Sequence, residues 1–326
     1  MKILVTGASG FVGGKTVAAL RAAGHEVLGI GRRRLELPKA AYLSLDLAEP
    51  FALDFAPTAV LHAAARASPW GSRAEFERDN VTATARVIDF CRRQAATQGS
   101  WPKLVYVSSS SVFYQPCDQL GMTEKTPIGP RFANHYAATK AAGEMLVRAY
   151  EGPWAIARPR AVFGPGDTVL FPRILVAARA GKLPILVRPG APAMGDLIYI
   201  DSLTSYLQQL LERPERVGDY NLTNAEPVEI QAFLAEIFRR LDIPLPKKRV
   251  PLRLAFAAAA LTEALYRLLR RPGEPPITRF GVGVFAFSKT FDVSKALADL
   301  GPPAVSLSAG VEAFVAWQRQ QEEPQP

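Results

Sequence analysis

The chain has 326 residues, 48% of them hydrophobic, which suffices for one large domain or an ordinary domain with a smaller partner and excludes global disorder. Two cysteines, Cys91 and Cys117, stand outside any CxxC pair, and three histidines, His25, His62 and His135, lack ligand spacing, so neither a disulfide framework nor a metal site is expected. The net charge of +9 is scattered, apart from Arg32-Arg33-Arg34 and pairs such as Arg270-Arg271; without a basic run interleaved with aromatics it reads as solvated surface and not as a nucleic-acid site.

The opening MKILVTGAS has too short an apolar run for a signal peptide. The most membrane-like stretch, residues 254–262, is bracketed by Arg253 and Glu263 and is too short to span a bilayer. A cytoplasmic protein is expected. Continuous apolar runs at 2–6, 26–30, 41–45, 59–62, 104–108 and 154–157 predict buried parallel strands. Helical stretches at 11–23, 74–94 and 134–150 lie between them. That alternation predicts an α/β fold with a Rossmann-type, doubly wound parallel sheet. Prolines crowd the chain after residue 165. Strands are expected again at 197–200 and 219–222, a helix at 229–241, and an Ala/Leu-rich helix at 251–271 with a basic end. The expected division is a dinucleotide domain over 1–165, with return segments near 196–222. A smaller, partly helical substrate lobe follows over 166–195 and 223–318, then a frayed tail over 319–326.

Thr6-Gly7-Ala8-Ser9-Gly10-Phe11-Val12-Gly13 follows the first strand and opens the first helix. Gly7 allows a tight turn, Gly10 lets backbone approach a pyrophosphate, and Gly13 lets the helix close on the sheet. The helix N-terminus offers free N–H groups to phosphate. The second strand ends Gly29-Ile30-Gly31-Arg32-Arg33. NAD sites usually place an acidic residue near here for the ribose. Gly31 takes that place, and Arg32 and Arg33 can clamp a 2′-phosphate. NADP(H) is therefore expected in preference to NAD(H). Asp46 and Leu47 follow the third strand, beside the adenine. His62-Ala63-Ala64-Ala65 ends the fourth and leaves room for the dinucleotide. Taken alone, His62 reads as a packed strand-end residue and not a catalyst.

Tyr136 and Lys140 lie four apart, hence on one helix face. A neighbouring ammonium is expected to lower the tyrosine pKa toward useful acid–base chemistry. Ser108-Ser109-Ser110-Ser111 ends the fifth strand, where a hydroxyl faces the ligand crevice and can donate to a substrate oxygen. Ser109 is the first candidate and Ser108 the second.

Together with residues 158–167, RPRAVFGPGD, these motifs resemble the extended short-chain dehydrogenase/reductase family over nearly the whole chain. The resemblance implies NAD(P) and catalysis by Ser109, Tyr136 and Lys140, with Pro159 among the residues beside the cofactor. Residues 64–71, 271–280 and 291–296 look like the 3β-hydroxysteroid dehydrogenase branch, which is similar to bacterial sterol dehydrogenases and 2-alkyl-3-oxoalkanoate reductases. The branch implies redox chemistry at C3 of a small hydrophobic carbonyl or alcohol. Phe113 departs from the family's usual tyrosine. The apolar helix at 251–267 would line a greasy pocket or touch a membrane surface, with core packing the simpler expectation. Homodimers are common in the family, though no dimer seam is visible. The competing expectation is a nucleotide-sugar epimerase or dehydratase with tightly bound NAD.

Overall fold

The computed structural model describes residues 1–38, 41–271 and 273–322. Among them, seven parallel strands form the central sheet: β1 (Lys2–Thr6), β2 (Glu26–Gly31), β3 (Tyr42–Ser44), β4 (Ala59–His62), β5 (Lys103–Val107), β6 (Trp154–Pro159) and β7 (Gly218–Leu222). Their spatial order is β7-β6-β5-β4-β1-β2-β3. Successive side chains leave a strand on opposite faces. Ile3 and Val5 therefore join Val17, Leu20, Leu203 and Leu207 in one core. Leu4, with Val60, Leu104 and Ile156, joins Val87, Phe90 and Val147 in the other. The first core is closed by helix α1 (Phe11–Ala22) and helix α4 (Ile200–Glu212); the second by α2 (Ala83–Gln98) and α3 (His135–Arg148).

Three expectations need revision. The helix expected over 74–94 is one turn at Arg73–Phe76, a wider π-type turn at Glu77–Thr82, and then α2. The chain also crosses back to the first core after residue 223, because Phe291, Val293, Ala296 and Leu300 pack there. The apolar spacing of this late segment does not announce which core it serves. Finally, the last helix runs Leu307–Glu322 and buries Val311 and Phe314, so residues 319–322 are helical; 323–326 lie outside the described residues.

The lobe centres on Phe163, Phe171, Ile174, Leu234, Phe238 and Phe314. The Ala/Leu-rich helix α5 (Leu252–Leu268) buries only Ala255, Ala259 and Glu263. Its stripe of small residues packs on Val282 and Ala286, and Leu254, Leu261 and Leu268 stay exposed. No helix among the described residues is long and apolar enough to cross a membrane.

Candidate active site

Parallel strands bring Thr6, Gly31, His62, Val107 and Pro159 to one edge of the sheet. The order reverses between β1 and β4, and open sheets bind ligands in the crevice at such a point. Gly7 enters it at φ +71, where a Cβ would sit 2.7 Å from the Ala64 nitrogen and 2.8 Å from the Ala63 carbonyl carbon. A Cβ on Gly13 would lie 2.3 Å from the Gly7 oxygen. Loop, helix and the segment after β4 thus meet through backbone. Gly10 caps α1 without a side chain, and no acidic residue occupies the first turn. The free N–H groups and the positive helix end fit a pyrophosphate.

At the end of β2, a Cβ on Gly31 would lie 2.4 Å from Ser9 Oγ and 2.6 Å from the Tyr42 hydroxyl oxygen. A side chain at the position usually acidic in NAD sites would have to displace Ser9 and the Tyr42 hydroxyl. Arg32, half-exposed, donates to Asp79 at 3.1 Å. The same buried carboxylate accepts from Arg66 at 3.0 Å and Arg78 at 3.2 Å, and Arg78 also reaches Asp46 at 2.8 Å. Arg33 is exposed and Leu47 buried.

His62 is fully buried. Ala64 N–H donates to Thr6 Oγ1, and Thr6 Oγ1 lies 2.7 Å from His62 Nδ1. His62 Nε2 lies 2.9 Å from Thr84 Oγ1, which donates to the Asn80 carbonyl. This chain of donors assigns a neutral ring protonated at Nε2. Burial, reinforced by Lys140, pushes the ring pKa down to about 3. Both nitrogens are engaged, so the expected cofactor contact from the His62 side chain is corrected: the ring braces β1 against β4.

Asn134 caps α3 by accepting from Ala137 N–H at 2.9 Å, which starts the helix one residue before Tyr136. Burial pushes the Tyr136 phenol up to about 12, and a hydrogen bond with the Ser109 side chain offsets part of that rise. The expected lowering of this phenol by Lys140 is not found. Instead the Lys140 ammonium sits 4.3 Å from the centre of the Tyr106 ring. Burial pushes it down to about 7, against the pull of Glu144. Gly143 allows this approach, since a Cβ there would strike the Tyr106 hydroxyl at 2.3 Å.

The two candidate serines diverge. Ser108 is buried and donates to Glu144 Oε1 at 2.6 Å. Its hydroxyl does not face the crevice, contrary to the expectation for a catalytic or cofactor-binding residue. Glu144 also takes Arg158 through both oxygens at 2.8 and 2.7 Å, and Arg158 continues to Asp219 at 2.7 Å. Sequence reasoning missed this knot. The available signal was an acid four residues after Lys140, on the same helix face. Asn80 was also missed: it donates to Thr139 at 2.9 Å and accepts Arg66 N–H at 2.7 Å, tying the wide turn to α3.

Two clefts are present. One, of about 40 Å³, is lined by Arg160 and Asp196 with Phe171, Ile174, Phe233 and Phe285. The other, of about 230 Å³, runs along Trp70, Asn134, His135 and Arg267 at the start of α3.

Residues 3–224 match the model of the NAD dependent epimerase/dehydratase family. The chain belongs to this family. A 2-alkyl-3-oxoalkanoate reductase of Shewanella oneidensis is 34% identical, covering 94% of this chain and 84% of its own. A Stenotrophomonas maltophilia protein of the same name is also 34% identical, covering 95% and 97%. A 3beta-hydroxysteroid-dehydrogenase/decarboxylase of Arabidopsis thaliana is 29% identical, covering 88% and 69%. The fold matches MoeE5 in complex with UDP-glucose and NAD, with TM-score 0.75 and 23% identity over 99% of this chain and 100% of that one.

In this epimerase/dehydratase-family chain, Gly7 to Gly13, Gly31, Arg32, Ala63 to Ala65, Ser109, Tyr136, Lys140 and Pro159 gather at the C-terminal edge of the sheet. The side chains of Leu47, His62 and Ser108 turn into the interior. The glycine crevice is where an NAD-type cofactor fits.

Proposed function

We propose that the protein is an oxidoreductase that interconverts a 3-oxo and a 3-hydroxy group on a small hydrophobic substrate, with NADP(H) preferred over NAD(H). The observation that carries this reading is the Tyr136 phenol near enough to Ser109 for that side chain to act on its acidity, with Lys140 one turn further along the same helix. When bound, the nicotinamide supplies or accepts the hydride. In reduction, Tyr136, which keeps its proton at neutral pH, gives it to the substrate oxygen. Ser109 donates to the same oxygen and withdraws charge from it. Lys140, over the Tyr106 ring, would hold the ribose hydroxyls and so place the nicotinamide. Gly7, Gly10 and Gly13, with the open end of α1, would hold the pyrophosphate, and Arg32 with Arg33 the 2′-phosphate.

Similarity to the 2-alkyl-3-oxoalkanoate reductases supports the 3-oxo assignment, and the phenylalanine-lined cleft supports a hydrophobic substrate. The crowding that a side chain at Gly31 would meet supports NADP(H). Two unpaired cysteines among the described residues suit a reducing, cytoplasmic setting.

Absorbance at 340 nm, with NADPH and NADH in separate runs against 3-oxo acids, 3-oxosteroids and nucleotide sugars, tests the reading. Oxidation of NADPH by a 3-oxo compound is expected, lost in Tyr136→Phe while cofactor binding persists. Co-purified stoichiometric NAD with redox-neutral conversion of a nucleotide sugar would replace it by the epimerase alternative.

A further inference from the structure

Arg160 follows β6 directly, and its backbone N–H joins the sheet through Leu222. Its side chain is buried, with the residue 6% exposed. Among the described residues that guanidinium makes no hydrogen bond and no ion pair, and its Nε has no partner at all. Arg158, two residues earlier and 1% exposed, is the contrast: it is saturated by Glu144 and Asp219. The Tyr114 ring and the charge of Asp196 lie near it, but neither meets it as a hydrogen-bond or ion-pair partner.

The neighbours sharpen the need for an anion. The guanidinium lies 5.3 Å from the centre of the Tyr114 ring, and Lys289 lies 5.5 Å from the same ring. Lys289 is spent on the Gln115 and Cys117 carbonyls and on Gln119. Asp196 accepts the Phe291 N–H at 2.8 Å, and its other oxygen is unpartnered. Asp196 acts on Arg160 through its charge without forming an ion pair, while Asp118 acts on Lys289. Arg160 borders the smaller cleft, whose other walls are largely apolar: Leu170, Phe171, Ile174, Leu197, Phe233 and Phe285 among them. Tyr114 links this corner to the reacting pair. Its hydroxyl lies 3.0 Å from Ser110, beside Ser109, and it is close enough to act electrostatically on Tyr136.

We propose that Arg160 reads a carboxylate carried by the substrate, while the apolar cleft beside it takes the alkyl portion. The substrate class is then an alkyl acid with its carbonyl near the carboxylate, and a plain ketone of the same length is a poor substitute. One guanidinium and one carboxylate among apolar walls do not suit a nucleotide, which needs donors and acceptors along its length. The proposal rests on the reductase reading for its substrate but not for its binding chemistry.

Two measurements on the full chain with saturating NADP⁺ separate the two. Calorimetric titration compares octanoate, which cannot be reduced, with its methyl ester. Wild type is expected to bind octanoate at least tenfold more tightly. Arg160→Met should erase that difference, since hydrogen bonds to charged groups are worth about 1.5–3 kcal/mol, or roughly 10- to 150-fold. Equal wild-type affinity for acid and ester overturns the proposal with no variant needed, as does an unchanged preference in Arg160→Met. Kinetics with NADPH then compare 3-oxooctanoate with its methyl ester. Octanoate binding that depends on Arg160, without reduction of either compound, sustains the proposal and fails the reductase reading. Equal reduction of both compounds by wild type sustains the reductase reading and overturns the proposal. Melting gives a further readout. Without ligand, Arg160→Met should raise Tm, whereas a fall like that of Arg158→Met would mark Arg160 as a structural residue.

Discussion

The Ser108 hydroxyl donates to Glu144 at 2.6 Å, and this contact separates the roles of two adjacent serines. Ser108 holds the sheet to α3, whereas Ser109 lies near enough to Tyr136 to act on its phenol. Ser109→Ala should lower kcat by roughly 10²- to 10³-fold, the usual cost of removing one donor to a developing oxyanion. Ser108→Ala should instead cost about 1–3 kcal/mol of stability by leaving Glu144 short of a donor, with kcat changed much less. Steady-state rates and urea unfolding of the two variants check this, and the reverse ranking would overturn the assignment.

Lys140 titrates near neutrality because burial pushes it down to about 7. Its charged form is the one that would donate to the ribose hydroxyls and place the nicotinamide. The kcat/KM for reduction should therefore fall as pH rises through about 7, and Lys140→Met should lack that limb along with most of its turnover. Stability has the opposite slope. The unfolded lysine keeps its proton to about 10.5, so between about 7 and 10.5 the unfolded chain binds more protons than the folded one, and stability rises with pH. Below about 7 both states are protonated and that gain is absent. A flat rate profile from pH 6 to 9 would contradict the assignment.

Much of this site was legible in the chain. The Gly7–Gly10–Gly13 spacing placed a strand, a turn and a helix in register, because only backbone can meet backbone at 2.7 Å. The spacing of Tyr136 and Lys140 placed both on one helix face. What was not legible is where side chains point once two elements meet. Four consecutive serines look alike until Glu144, on another element, takes one of them. Lys140 beside Tyr136 suggested a charge acting on the phenol, but Gly143 brings α3 onto Tyr106 and the ammonium settles over that ring. Arg158 and Arg160 read alike in sequence. One is saturated and the other has no partner, a distinction that depends on residues 144, 196 and 219 arriving from elsewhere.

Gly31 and Arg32 give opposite outcomes for two attempts to change the cofactor. A 2′-phosphate must compete with Asp79 for Arg32, whose pairing at 3.1 Å is half-exposed and exchangeable. Arg32→Ala should weaken NADPH at least tenfold and NADH little; equal weakening would refute the NADP(H) preference. Gly31→Asp, the change that would install an NAD-type acid, should not confer NADH binding. Its Cβ alone meets Ser9 and Tyr42 at 2.4 and 2.6 Å, and overpacking costs about 1–3 kcal/mol. A lower Tm with no gain in NADH affinity is expected by thermal melting and titration.

Glu144 links stability and acid–base chemistry through one carboxylate. Its oxygens take Arg158 twice, Ser108 once and Arg148 once, and its charge favours the protonated form of Lys140. Glu144→Gln keeps the shape and removes the charge. Arg158 would then face Asp219 alone from its sheltered side, and breaking such a buried pair typically costs about 3–5 kcal/mol. Lys140, without the pull of Glu144, should lose its proton at a lower pH. The falling limb of the reduction profile should therefore move to the acid side of its wild-type position. A purely structural role predicts the loss of stability with the limb unmoved. Urea unfolding and a kcat/KM profile on the same preparation distinguish the two, because only electrostatic coupling to Lys140 shifts the apparent pKa.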